Sequence, residues 1–307
     1  MKAKIHIALC ALTLGSVLTG CGISAKKESV VTEQTLSENW QVLLDSELSQ
    51  WERWLGVPHT SVQDLPVGTF QSSELNLHGD PSQAIGLNND PKQVFSVIEE
   101  NGKPVLAITG EIYGGLTSKH SYSNYHLSLQ IKWGDKKWEP RLNALRDSGI
   151  LFHCRGEHGA FWRVWKLCHE FQIQETDLGD YIPLGNESGK LQGDIRARPP
   201  RAGEHPKRPV YDPEGTRQTV AYASASPEVD RAHGEWNTLE LLAFANKAVF
   251  VVNGEVVMAV QNIRDVNNNA LSSGQLQIQS EGAELYIRDA KIKSLPAIPA
   301  AYSGLFD

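Results

Sequence analysis

From Tyr125 to Lys132 apolar and polar side chains alternate without a break (Tyr-His-Leu-Ser-Leu-Gln-Ile-Lys), the period of a strand with one face buried. The same period returns over His169–Gln174, setting Phe171 and Ile173 on one side and Glu170, Gln172 and Gln174 on the other. Further strands are predicted at Gly149–Cys154, Leu239–Phe244, Gln275–Gln279 and Leu285–Lys293. Phe250–Val257 carries Asn253-Gly254 between two apolar arms, which predicts a hairpin with an Asn-Gly turn. Helical periodicity is confined to short stretches at Glu38–Leu44 and Asn143–Arg146. Residues 195–235 break the pattern: Arg196, Arg198, Arg201, Lys207 and Arg208 interleave with six prolines, predicting a long irregular segment, either functional or simply solvated. Many strands and turns without βα alternation predict an all-β antiparallel sandwich or jelly roll.

The start of the chain reads differently. Lys2 and Lys4 precede a mostly apolar run from Ile5 to Leu18, and Leu18-Thr19-Gly20-Cys21 follows, the layout of a secretory leader. That ending resembles the bacterial lipobox, which implies acylation of Cys21 and a lipid membrane as partner. A run of about 14 residues is too short to span a bilayer, which needs about 20. The expected organisation is a signal peptide over 1–20, a flexible tether over 21–39 and a jelly-roll domain over 40–295, with a tail over 296–307. The expected location is a bacterial cell envelope, on the periplasmic or outer-membrane side. Without residues 1–20 the chain carries 27 basic and 36 acidic side chains, a balance that argues against a nucleic-acid partner. Cys154 and Cys168 are then the remaining cysteines, and in an oxidising compartment a disulfide is favoured over a metal pair. The loop of about 15 residues it would close is worth about 3 kcal/mol in the chain-entropy model.

Several segments in order and spacing carry a resemblance. They are Gly115-Leu116-Thr117-Ser118-Lys119, Tyr122-Ser123-Asn124-Tyr125-His126-Leu127, Lys132-Trp133-Gly134 and Arg146-Asp147-Ser148-Gly149-Ile150-Leu151. Glu170-Phe171-Gln172-Ile173-Gln174-Glu175, Gly179-Asp180-Tyr181, Gly234-Glu235-Trp236-Asn237-Thr238, Val252-Asn253-Gly254-Glu255-Val256-Val257 and Gly274–Gly282 complete the set. Together they resemble the 3-keto-disaccharide hydrolase family over residues 40–295. The resemblance implies a concanavalin-A-like fold of the laminarinase type. It also implies a saccharide substrate, cleaved at glycosides whose sugar carries a ketone at carbon 3, by hydrolysis or by elimination followed by hydration. The Glu-x-Asp-x-Glu run of laminarinase-type enzymes is replaced here by Glu170-x-Gln172-x-Gln174.

Such chemistry needs a base for the acidified hydrogen on carbon 2, an acid for the departing oxygen and a positive group near the enolate. Glu170 is the leading acid/base, with Gln172 and Gln174 spaced about 7 Å apart along the strand to meet sugar hydroxyls. His153 and Glu175 are the other catalytic candidates. Arg155, His120 and Lys119 are expected to offer positive charge or hydrogen bonds to substrate, and Trp162 and Trp165 to stack on sugar rings. Alternatives stand beside these roles. Glu175, Asp177 and Asp180 offer hard oxygen ligands for a divalent cation such as calcium, His153 is equally a core histidine, and the tryptophans are equally core. A zinc site at His153, His158, His169 and a cysteine matches no closed spacing, so no metal ligand is assigned. The rival function is a non-catalytic carbohydrate-binding module using the same face.

Overall fold

A computed structural model of the chain describes residues 31–74, 80–185 and 189–307. The leader, Cys21 and most of the expected tether lie outside the described residues. Two sheets make up the body, and every pairing between their strands is antiparallel. Among the described residues the larger sheet has eleven strands and the smaller has seven. Across the smaller sheet lie, in order, Tyr181–Leu184, Leu167–Gln174, Asp147–Arg155, Ser273–Ser280, Gly114–Ser123, Trp51–Leu55 and Gly86–Leu87. The larger sheet is centred on Asn237–Phe244, Tyr125–Lys137 and Ala283–Ser294. The fold is an all-β, two-sheet antiparallel jelly-roll sandwich, as the alternation predicts.

Period-2 alternation works here because each sheet turns one face inward. Along Tyr125–Lys137 the side chains at 125, 127, 129 and 131 are buried while those between them are half-buried. From the smaller sheet Ile150, Phe152, Phe171 and Ile173 enter the same core as Leu129, Leu241 and Phe250 from the larger one. Phe171 stacks on Phe250 with ring centroids 4.4 Å apart, fixing the spacing of the layers beneath Glu170. Asn253 and Gly254 take φ of 52° and 91°, so the hairpin closes between Lys247–Val252 and Glu255–Arg264 as the Asn-Gly signal demands.

Two local expectations are corrected. Among the described residues no helix forms at Glu38–Leu44 or Asn143–Arg146; the first contains the short strand Gln41–Val42 and the second is a turn. Both stretches are too short to nucleate a helix alone. Residues 195–235 are only partly irregular, because Gln192–Arg198, Val210–Tyr211 and Thr216–Val220 pair with one another at the end of the larger sheet. The tail is packed: Ile298, Tyr302, Leu305 and Phe306 lie against Leu242, Val249, Val251 and Leu295 on the outer side of that sheet.

Candidate active site

The outward face of the seven-stranded sheet carries the polar residues that alternation excludes from the core. Register places Glu170 opposite Leu151 and Gln172 opposite Gly149. Gln277 also lies opposite Leu151, and Gln279 opposite Gly115. Gly149 therefore sits between the strands of Glu170 and Gln279. A Cβ on Gly149 would come within 2.3 Å of Glu170 Oε1 and 2.6 Å of Gln279 Oε1. The glycine is the hollow into which both side chains lean. Gly115 makes a second hollow, where a Cβ would lie 2.5 Å from the Gln277 amide.

One step of the pleat further along, Asp147 forms an isolated bridge with Glu281. Gln172 Nε2 donates to Asp147 Oδ1 at 2.9 Å. Arg141 lies 2.6 Å from Asp147 Oδ2 and 3.4 Å from Glu281 Oε1. Among the described residues the amide oxygen of Gln172 is buried with no hydrogen-bond partner, while the Gln279 side chain hydrogen-bonds to Glu170. An unpaired acceptor at this depth is costly, by about 1–3 kcal/mol.

Burial dominates the electrostatics. Glu170 is 3 % exposed, and its carboxyl is pushed well above the ordinary range by burial first and then by the charges of Glu281 and Asp147. Glu281 is raised for the same reasons, burial and then Asp147, against the pull of Arg141. Asp147 moves up as well, since burial outweighs its contact with Arg141. Asp180, on the neighbouring edge, is raised to about 7 by burial, although Ala225 N–H donates to its Oδ1 at 2.7 Å. So many carboxyls in one dry patch raise one another's pKa.

The other sequence candidates are spread more widely than expected. Gln174 faces the same side and donates to Asp177. Glu175 pairs with Arg146 at 2.7 Å and faces His233 at 3.5 Å, contacts that lower its pKa despite partial burial. Asp180 accepts from Ala225 and Arg208, so Glu175, Asp177 and Asp180 point at donors of the protein and do not converge as a cation site. Among the described residues no group of three or more His, Cys, Asp or Glu side chains is spaced to hold a metal.

His153 is corrected outright. A register shift between Phe152 and Arg155, with φ of 51° at His153, turns the imidazole into the core, edge-on to Tyr125 at 6.0 Å. It lies across the sheet from Glu170, and strict alternation would have put it on Glu170's side. Cys154 and Cys168 are bonded and do align the two strands, yet the same bulge leaves Arg155 exposed, donating to Ser273 O at 3.2 Å. Lys119 and His120 sit in Gly114–Ser123, separated from Glu170's strand by two others, and Lys119 Nζ is held by Ser49 O at 2.7 Å. Neither joins the patch. Trp165 is buried, donating to Gly114 O at 2.9 Å within a small second core of Tyr113, Leu151, Cys154 and Cys168 under the 156–166 loop. Trp162 is 42 % exposed and stacks on Phe161 at 4.8 Å, leaving an aromatic surface open.

Sequence reasoning misses Asp147, Gln279, Glu281 and Arg141 as members of the site. Gln279 is within its reach, since Gln275-Leu276-Gln277-Ile278-Gln279 alternates as cleanly as Glu170's strand. The rest depend on pairings between distant segments.

The chain belongs to the family of 3-keto-alpha-glucoside-1,2-lyase-like domains, whose model matches residues 39–293. No curated protein matches it. Among solved structures, a candidate glycosyl hydrolase from Parabacteroides distasonis ATCC 8503 is 15 % identical. That match covers 84 % of this chain and 100 % of that one at a TM-score of 0.46. The carbohydrate-binding module CBM66 of Bacillus subtilis is 11 % identical over 65 % of this chain and 92 % of its own, at 0.40. The Bacillus licheniformis β-glucanase is 9 % identical over 85 % and 99 %, at 0.39. These are loose superpositions, and no residue role is taken from them.

Proposed function

We propose that this protein cleaves glycosides of 3-keto sugars, with Glu170 as the acid that protonates the departing glycosidic oxygen. The carrying observation is that Glu170 lies on the outward face of the seven-stranded sheet, leaning over Gly149, where burial and then Glu281 and Asp147 push its pKa up. A group acts as general acid only if it carries its proton when substrate arrives. Asp147, two residues along the strand from Gly149, is assigned as base. It would take the hydrogen from carbon 2, with the electron pair moving toward the ketone at carbon 3. The carbon 1–oxygen bond then breaks, Glu170 delivers its proton to the leaving oxygen, and an unsaturated 3-keto sugar remains for water to add to. Family membership supports this route over direct two-carboxylate displacement.

Incubation with a 3-keto-glucoside, with and without chelator, tests the reaction. Wild type should release the aglycone, and Glu170→Gln should lose turnover while binding the sugar within a few fold. No turnover at any pH refutes the enzyme. That result, joined to loss of sugar affinity in Trp162→Ala, would favour a carbohydrate-binding module, a reading supported by the near-complete burial of Glu170 and the open face of Trp162.

Export and acylation at Cys21 belong to the same proposal, resting on Lys2, Lys4, the Ile5–Leu18 run and Leu18–Cys21. Cys21→Ala should move the protein from the membrane to the soluble fraction of an expressing bacterium. Unchanged fractionation would refute the anchor.

A further inference from the structure

The edge of the seven-stranded sheet beside Glu170 carries a guanidinium that the reaction above does not use. Residues 205–225 are stitched to this edge by backbone bonds. Tyr181 and Ala223 exchange two at 3.0 Å each, Tyr211 N donates to Ser224 O at 2.8 Å, and Ser224 N donates to Pro209 O at 2.9 Å. The stitching sets Arg208 and Tyr222 next to Asp180. Asp180 is wholly buried, while the Arg208 side chain is 23 % exposed. Arg208 Nη1 reaches Asp180 Oδ2 at 3.5 Å, and its guanidinium carbon lies 3.6 Å over the centre of the Tyr222 ring. Among the described residues that guanidinium makes no other hydrogen bond. Gln172 N donates to Asp180 O at 3.0 Å, so the pair borders the acidic patch.

This is how an arginine is held when its free edge has work to do. Stacking on Tyr222 fixes the plane, and a buried carboxylate fixes the rotation. Four of the five N–H donors of the fork are then left for something else. Arg141, by contrast, is spent between Asp147 and Glu281. Elimination moves negative charge onto the oxygen at carbon 3, and a planar two-donor cation at the rim of an otherwise acidic patch matches an enolate oxygen. An ordinary hydroxyl at that position would gain much less from it.

We infer that Arg208 binds the carbon-3 oxygen of the sugar, with Asp180 and Tyr222 as its positioning residues, and so selects keto sugars over their 3-hydroxy parents. The inference rests on the lyase reading. Its test is the steady-state kinetics of wild type, Arg208→Gln and Arg208→Lys on a 3-keto-glucoside, with free guanidinium ion added to the Gln variant. Arg208→Gln should lose about 10²-fold in kcat, the scale for removing an oxyanion donor, with KM changed less than about threefold. Guanidinium should restore part of the rate. Arg208→Lys, which keeps charge but not the fork, should lose about tenfold or more. Tyr222→Ala should lower kcat and not respond to guanidinium.

Retention of kcat within about threefold in either Arg208 variant overturns the inference while leaving the lyase reading intact. A wild type that does not cleave the keto-glucoside overturns both. If Arg208→Gln fails to fold, Arg208→Lys decides the question by the same threshold.

Discussion

A single missing side chain shapes the proposed site. Gly149 leaves room for Glu170 Oε1 and Gln279 Oε1 to meet, and any Cβ there would collide with both. Gly149→Ala should therefore push Glu170 aside, lowering turnover at least tenfold and stability by about 1–3 kcal/mol, the range for overpacking a tight site. Parallel measurement of kcat and of urea unfolding checks it; an unchanged kcat would show that the position of Glu170 is not set by this hollow. At this scale the sequence is informative wherever the strand period holds. Glu170, Gln172 and Gln174 emerge on one face because nothing interrupts His169–Gln174. Alternation misplaces His153 because a bulge reverses parity, and no residue type at 152–155 announces one. Arg208 and Tyr222 are invisible as a pair, since their meeting depends on a backbone bridge between Tyr181 and Ala223.

Elements around the patch are held by links of different range. The Cys154–Cys168 bond closes the 156–166 loop, and Trp165, Tyr113 and Leu151 pack beneath it. Replacing both cysteines with alanine should cost about 3 kcal/mol by loop entropy. The small apolar core should keep the loop in place, so that kcat changes little while the denaturation midpoint falls. A lost midpoint together with lost activity would mean that the bond, and not the packing, holds the strand pair in register. The strands themselves are readable from alternation, as is the Asn253-Gly254 turn. Their order across two sheets is not, because pairings such as Gln279 with Gly115 join residues far apart in the chain. For the layered arrangement, the family resemblance carries what alternation cannot.

Over the whole molecule, two sets of buried groups pull stability in opposite directions with pH. His153 and His169 lie in the core with pKa values lowered to about 3, by burial in each case. As pH falls below about 6.5 the unfolded chain takes up protons that these folded imidazoles refuse, so stability drops until about pH 3. Glu170 and Glu281, raised well above their usual range, and Asp180, raised to about 7, do the reverse. Their contribution is complete below the unfolded carboxyl range and is lost as pH rises through the folded values. Between about pH 4 and 7 the two trends oppose each other, and the thermal midpoint of wild type should vary only weakly there. Separating them is straightforward. His153→Phe, which keeps a ring against Tyr125, should gain midpoint relative to wild type as pH falls, whereas Glu170→Gln should gain relative to wild type as pH rises. Scans of both variants across that range should therefore diverge from wild type with opposite slopes. Parallel curves would mean that neither the core imidazole nor the outward carboxyl is as dry as its surroundings imply, and the protonated acid at the centre of the proposed reaction would lose its physical basis.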